Sequence, residues 1–294
     1  MSGARALLVL RAGALTTVQD RGRPGYAHLG VPRSGALDAG AHALANRLLG
    51  NPADAATLET TLDGVALRAL APLTVAVTGA SCAVRASGRP VAWGEPVWLP
   101  AGAELEVGRA VSGLRSYVAV RGGFAVPPVL GSRATDLLSG LGPDVLAAGA
   151  VLPVGAAGRD PVTGADVTGA AGAGPGAELL LPLRLGPRAD WFTPESIAGL
   201  WRSGYRVSAM SNRIGLRTEA GPPLLRSRPG ELPSEGMVLG AVQVPPDGLP
   251  VVFLADHPVT GGYPVLGVVP PGPALNAAAQ ARPGVGVRFV RARA

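Results

Sequence analysis

At 294 residues the chain has the length to bury roughly three quarters of its unfolded surface, enough for one large or two ordinary domains. Hydrophobic residues make up 47% and charged residues 16%, which excludes a disordered chain; 43 glycines and 29 prolines favour many short strands and turns over long helices. The net charge is +6 and all 26 basic residues are arginine, so chemistry that needs a lysine amine is excluded: a Walker A loop, a Schiff base, or biotin attached to this chain.

The arginines are scattered, aromatics are 4%, and no nucleic-acid module is present, which reads as a solvated basic surface and no nucleic-acid partner. Cys82 stands alone, so no internal disulfide forms, and a reducing cytoplasm is expected. Ala6–Leu10 is too short for a signal-peptide core, and Val145–Gly158, broken by Pro153, falls short of the roughly 18–20 residues of a membrane span. No membrane partner is expected. His28, His42 and His257 lack the paired spacing of a zinc site, no metal is expected, and no G-x-S-x-G elbow occurs.

In chain order, Ala6–Leu10 and Thr16–Val18 read as strands leading into the Gly/Pro-rich loop Gln19–Gly25, which holds Asp20 between Arg21 and Arg23. Ala36–Leu49 has the strongest helical pattern: Leu37, Ala41, Leu44, Leu48 and Leu49 share one apolar face, with Ser34 near the N-cap and Gly50 as the stop. On this pattern His42 and Asn46 fall on the polar, solvent-facing side. Asn51-Pro52 then opens a new turn, with Asn51 capping. Short strands follow over Thr57–Thr61, Val65–Ala69, Leu73–Val77, Cys82–Arg85, Val97–Leu99, Glu104–Val107 and Leu114–Val120, with turn residues every 8–12 positions. Residues 155–178 are low-complexity Gly/Ala and read as a linker.

After it, Leu179–Leu185 is a strand, and Thr193-Pro194-Glu195 starts a helix with Ile197, Leu200 and Trp201 on one face. Tyr205–Ala209 and Leu216–Glu219 flank Ser211–Gly215, and Val251–Leu254, Val265–Val269 and Val285–Val290 complete a second β-rich half. The pattern predicts a mainly β protein of two domains, 1–160 and 178–294, each with one clear helix.

Two stretches carry the polar chemistry that the rest of the chain lacks. The first is Val18–Asp38. The second, Glu231–Tyr263, sets Glu231, Glu235, Gln243, Asp247, Asp256, His257, Thr260 and Tyr263 around the apolar run Pro250–Ala255, between Pro-Pro, Asp-Gly and Gly-Gly turns. Polar groups this concentrated are costly to bury unpaired, so the two stretches are expected to share a cleft.

The motifs VQDRGRPGY, GVPRSGALD, AN-LLGNP, SNRIG, SEGM, AVQVPPDG and TGGYPVLG follow one another over nearly the whole chain. In that order they resemble the subunit-C (allophanate hydrolase subunit 2-like) family. Its members include the C subunit of bacterial ATP-dependent 5-oxoprolinase, the matching part of the urea carboxylase carboxyltransferase domain, and Kip-type kinase regulators. The resemblance implies a pair of cyclophilin-like β-barrels. As activity it implies the C subunit of a 5-oxoprolinase, a lactam hydrolase coupled to ATP. Such a chain works only with a B subunit (allophanate hydrolase subunit 1-like) and an A subunit (LamB/YcsF-like). ATP, with Mg, would then be shared with a partner subunit, and the small-molecule substrate would be 5-oxo-L-proline, hydrolysed to L-glutamate. The alternatives are a carboxyltransferase component of a biotin-dependent urea carboxylase-type enzyme and a non-catalytic Kip-type regulator that binds another protein.

Activating a lactam carbonyl needs guanidinium groups for anions and a carboxylate to place water. Asp256, Glu235 and Arg213 are accordingly the expected catalytic residues. Asp20, Arg21, Gln243, Thr260, Gly261, Gly262 and Tyr263 are the expected substrate-binding residues, the last four offering backbone N–H groups.

Overall fold

The computed structural model describes residues 5–163, 177–230 and 232–292. Most of the low-complexity stretch 155–178, and Glu231 at the start of the second polar stretch, lie outside the described residues. The chain divides into two compact units. Taken over their described residues, the first covers Met1–Arg23, Ser34–Asp136 and Gly140–Gly172, the second Pro24–Arg33, Leu137–Ser139 and Ala173–Ala294. The first polar stretch is therefore divided, with Pro24–Arg33 in the same unit as the second polar stretch.

The first unit contains β1 (Ala6–Arg11), β2 (Leu15–Gln19), α1 (Ala39–Leu48), β3 (Thr57–Thr61), β4 (Val65–Ala69), β5 (Leu73–Ala86), β6 (Arg89–Val91), β7 (Pro96–Leu99), β8 (Glu104–Val120) and β9 (Val151–Pro153). They form one nine-stranded sheet along β2-β3-β8-β4-β1-β9, with β5 paired to β6, β7 and β8. The sheet curls into a half-barrel. Its concave core is aliphatic, with Leu7, Leu58, Leu67, Leu99, Leu105 and Val118 fully buried. Ala41, Ala45, Leu48 and Leu49 of α1 pack on Ala76, Tyr117 and Ala119 of the sheet. At about 1.5–3 kcal/mol for each fully buried leucine, that face holds the helix in place.

The second unit holds β10 (Leu179–Leu185), α2 (Pro194–Leu200), β11 (Tyr205–Val207), β12 (Gly215–Glu219), β13 (Glu235–Gly236), β14 (Ala241–Gln243), β15 (Val251–Phe253), β16 (Thr260–Gly261), β17 (Val265–Val268), α3 (Pro273–Gln280) and β18 (Gly286–Arg291). Seven of these strands close into a barrel, β10-β17-β14-β15-β12-β11-β18, while β13 and β16 form a separate two-stranded sheet. Leu181, Val207, Val242, Val252, Leu266, Val287 and Phe289 are buried, and Tyr205 meets Phe289 edge-on at 5.9 Å. Thr193 caps α2 by accepting from Ser196 N, with Pro194 following.

The protein is mainly β, as expected, with a closed seven-stranded barrel in one unit and a curled half-barrel sheet in the other. Four details differ. The cap of α1 is Asp38, whose Oδ1 accepts from Ala41 N at 2.9 Å, whereas Ser34 adopts φ +53° and donates to Thr135 O. His42 and Asn46 are buried rather than solvent-facing, because their side of the helix packs on the segment 53–57. Asn51 caps no helix; its side chain bridges Asn46, Val120 O and Gly122 N. Among its described residues the second unit has two α-helices rather than one. Among the described residues no helix is long and apolar enough to cross a membrane.

Candidate functional site

In the first unit the β2 end and the loop after it form a buried polar knot. Asp20 is 5% exposed and accepts from Gly22 N at 2.7 Å, Ser132 Oγ at 2.6 Å and Arg133 N at 2.6 Å. These donors are main-chain and hydroxyl groups. Arg23 is buried with Nη2 on Ala134 O, and Arg21 is exposed. Gly35, at φ +98°, lets the 34–36 turn press onto this loop: a Cβ there would sit 2.8 Å from Gly22 N. Ala36 N then donates to Asp20 O. The two motifs VQDRG and SGALD are thus one packed structure.

Beside it, Glu59 of β3 anchors the entry to α1. Its Oε2 accepts from Leu37 N at 2.9 Å and Tyr117 Oη at 2.7 Å, and Arg115 Nε lies 3.6 Å from Oε1. Burial, with the nearby Glu59 and Asp38 charges, pushes the Tyr117 phenol well up. His42 sits between Thr57 Oγ1 at 3.0 Å and Ala53 O at 3.3 Å, and burial lowers its pKa from 6.5. The folded state therefore prefers the neutral ring. Its contribution is complete above about pH 6.5 and is lost as pH falls through the lowered native value. We expect melting temperature to decline with falling pH in that window and the decline to flatten in His42→Gln. An unaltered slope in the variant would remove His42 as its source.

In the second unit Arg213 and Asp256 form a two-pronged pair, Nε to Oδ2 at 2.8 Å and Nη2 to Oδ1 at 3.0 Å, with side chains 1% and 0% exposed. Leu137 N also donates to Asp256 Oδ2 at 3.2 Å, and Asp256 N donates back to Arg213 O. The pair ties together the loop after β11, the end of β15 and the segment Leu137–Ser139.

A second group surrounds the small β13–β16 sheet. Glu235 on β13 is gripped by Arg188, whose Nε lies 2.9 Å from Oε1 and whose Nη2 also binds it. This pair is about a third exposed, and the Arg188 guanidinium holds the Glu235 carboxyl below its usual range. Gln243 is buried, with Nε2 on Tyr263 O at 3.2 Å. Gly261 lies directly on that amide, since a Cβ would meet Gln243 Nε2 at 2.8 Å. Thr260 is exposed and Tyr263 is 44% exposed. Among the described residues no group of three or more His, Cys, Asp or Glu is placed to hold a metal ion.

The family described as "Carboxyltransferase domain, subdomain A and B" matches residues 29–291, most of the chain. The chain belongs to that family. Within it, the C subunit of Escherichia coli 5-oxoprolinase is 39% identical over 90% of this chain and 84% of its own length. Urea amidolyase of Lachancea kluyveri is 32% identical over 97% of this chain, which spans only 17% of that protein. The crystal structure of Kluyveromyces lactis urea carboxylase superposes with a TM-score of 0.85 at 30% identity, covering 98% of this chain and 27% of that one.

In this carboxyltransferase-family chain, the expected site residues fall into three groups. Asp20 and Arg21 belong to the first unit; Arg213 with Asp256, and Glu235, Gln243, Thr260, Gly261, Gly262 and Tyr263, belong to the second. Arg188, Leu137 and Ser132 were not anticipated as their partners, nor Glu59 as the anchor of the entry to α1. Only Ser132 had a local signal, as part of the polar tripeptide Gly131-Ser132-Arg133 in an apolar region.

Proposed function

We propose that this chain is the C subunit of a 5-oxoprolinase, acting with the A and B subunits to hydrolyse 5-oxo-L-proline to L-glutamate with ATP. The observation that carries this reading is the 39% identity maintained along 84% of the Escherichia coli C subunit. A carboxyltransferase role in a urea carboxylase-type enzyme is the second reading, favoured by the family itself and by 32% identity to a urea amidolyase over 97% of the chain.

The exposed rim of the β13–β16 sheet is the surface we assign to substrate. Thr260, Gly261, Gly262 and Tyr263 offer hydroxyls and backbone N–H groups, and the Gln243 amide fixes the Tyr263 carbonyl behind them. Glu235 is accessible and held ionised by Arg188, which suits it to orienting water rather than storing a proton. Arg213 and Asp256 satisfy one another in a dry site, so their part is to hold the surrounding loops rather than to touch substrate. The donors for a triphosphate are insufficient on this chain alone. It has no lysine, and Arg188 and Arg213 are committed to carboxylates, leaving Arg21 and Arg33 as exposed guanidiniums of the first polar stretch. Nucleotide is therefore assigned to a partner subunit or shared with one, within a cytoplasmic complex.

The test is reconstitution. The purified chain should show no 5-oxoproline-dependent ATP hydrolysis and should support glutamate release once the A and B subunits are added. Robust turnover by the chain alone, or urea-dependent carboxyl transfer in place of glutamate release, would overturn this reading. Within the complex, Gly261→Ala should reduce turnover about tenfold, because its Cβ meets the Gln243 amide and, at 3.1 Å, the Met237 methyl. Both are ends of flexible side chains, so the melting temperature should change little. Unchanged turnover would take Gln243 and Gly261 out of the site.

A further inference from the structure

Within the second unit, α2 and the short 3-10 turn Pro187–Trp191 border a shallow, open cleft of about 570 Å³. Its walls are apolar: Phe192 and Pro194 at one end, Ile197 and Trp201 along the helix. Two charged side chains reach it, Asp190 and Arg291. Asp190 is neutralised by Arg228 at 2.8 Å. Arg291, the last residue of β18, is exposed, and its guanidinium lies 5.6 Å from the centre of the Trp201 ring. Among the described residues Arg291 makes no ion pair and no side-chain hydrogen bond. Stacking occupies only the flat face of a guanidinium, so its in-plane N–H donors stay available for a planar anion.

We infer that this cleft binds a small organic carboxylate with a flat or branched apolar body. The volume lies in the range of small-molecule sites, which pair apolar walls with a few directional polar groups. The apolar body covers Phe192, Ile197 and the rim of Trp201, and the carboxylate meets the edge of Arg291. Net charge decides the sign of the ligand, because the acid lining the cleft is already paired and the remaining charge is positive. The same 3-10 turn carries Arg188, the partner of Glu235, so an occupant touches the element that holds that carboxylate. The inference does not rest on the 5-oxoprolinase reading and stands or falls separately from it.

Calorimetric titration of the full chain with 3-phenylpropionate tests it, with 3-phenylpropionamide as the uncharged control. The carboxylate is expected to bind with a millimolar or tighter Kd, at least about tenfold more tightly than the amide. Arg291→Leu should abolish the preference for the carboxylate, while Arg291→Lys retains part of it through charge alone. Ala198→Leu, which fills the cleft without touching any charge, should weaken both ligands alike. Melting temperatures of all variants establish that they are folded. Absence of carboxylate binding at about 10 mM, or a preference that survives Arg291→Leu in a folded protein, overturns the inference.

Discussion

Arg213→Met and Asp256→Leu, made singly, should each destabilise the protein by about 3–5 kcal/mol, because each leaves one charge of a dry pair without its two-pronged partner. In a unit of this size that is a fall in melting temperature on the order of 10 °C. The double variant should recover most of the loss, since apolar side chains of similar volume remove both charges together. Turnover separates anchoring from catalysis. Arg213→Lys keeps the charge but loses the fork, and Asp256→Asn keeps the shape but loses the charge. In a complex that assembles, each should lower turnover by roughly 10²-fold, by displacing the loops the pair holds. If the double variant regains both stability and turnover, the pair is purely structural. Regained stability with turnover still lost shows that the loops it positions serve the reaction. Single variants that melt within a few degrees of the parent would sink the account of the pair altogether.

Asp256 also shows what the sequence could reveal and what it could not. Its place at the end of an apolar strand, and the polar loop around Arg213, were both visible as local pattern, so both residues stood out. Their meeting was not visible, because 43 residues separate them and no periodicity reports which loops close on one another. Leu137 N was more hidden still, since a backbone donor carries no residue signature. Strand bounds were legible at both ends for Thr57–Thr61, Val65–Ala69 and Leu179–Leu185, which match β3, β4 and β10, although only the last two alternate between buried and more exposed residues.

Glycine produced the errors of length. Leu73–Val77 and Cys82–Arg85 are one bent strand, β5, whose register with β8 slips between Gly79 and Val84. Gly79 reads as a turn but lies inside the ladder, where φ +86° and the nearby Arg115 carbonyl leave no room for a side chain. The helix α3 escaped notice because Gly272 offers no side-chain cap and the run Pro270-Pro271-Gly272-Pro273 before it reads as a loop. His42 and Asn46 were misplaced for the opposite reason. Their polarity suggested solvent, but Thr57 Oγ1, Ala53 O and Ala55 O satisfy them in the interior.

Glu59→Ala is expected to have a comparable effect on the first unit. Glu59 is 2% exposed, and its Oε2 is the acceptor for both the Leu37 amide and the Tyr117 hydroxyl. Removing it leaves two buried donors unmet, at about 1–3 kcal/mol each, and deprives Arg115 of a nearby carboxylate. A total loss of about 3–5 kcal/mol follows. Glu59→Gln is the more informative change. It keeps the shape, and its carbonyl oxygen in the place of Oε2 can accept from both donors, though more weakly than a carboxylate, while its amide N–H group replaces the Oε1 that faces Arg115 and sets donor against donor there. Tyr117→Phe isolates the phenol: it removes one donor to Glu59 and the acceptor of Asp38 N at 2.7 Å, and should cost about 1–3 kcal/mol. The damage should be local before it is global, because Leu37 and Asp38 lead straight into the cap of α1. Hydrogen exchange at the Leu37 and Asp38 amides should therefore accelerate in all three variants, most in Glu59→Ala. If those amides stay protected while the melting temperature falls, Glu59 stabilises the sheet rather than the entry to α1. If neither quantity moves, the buried carboxylate is not the anchor of this loop.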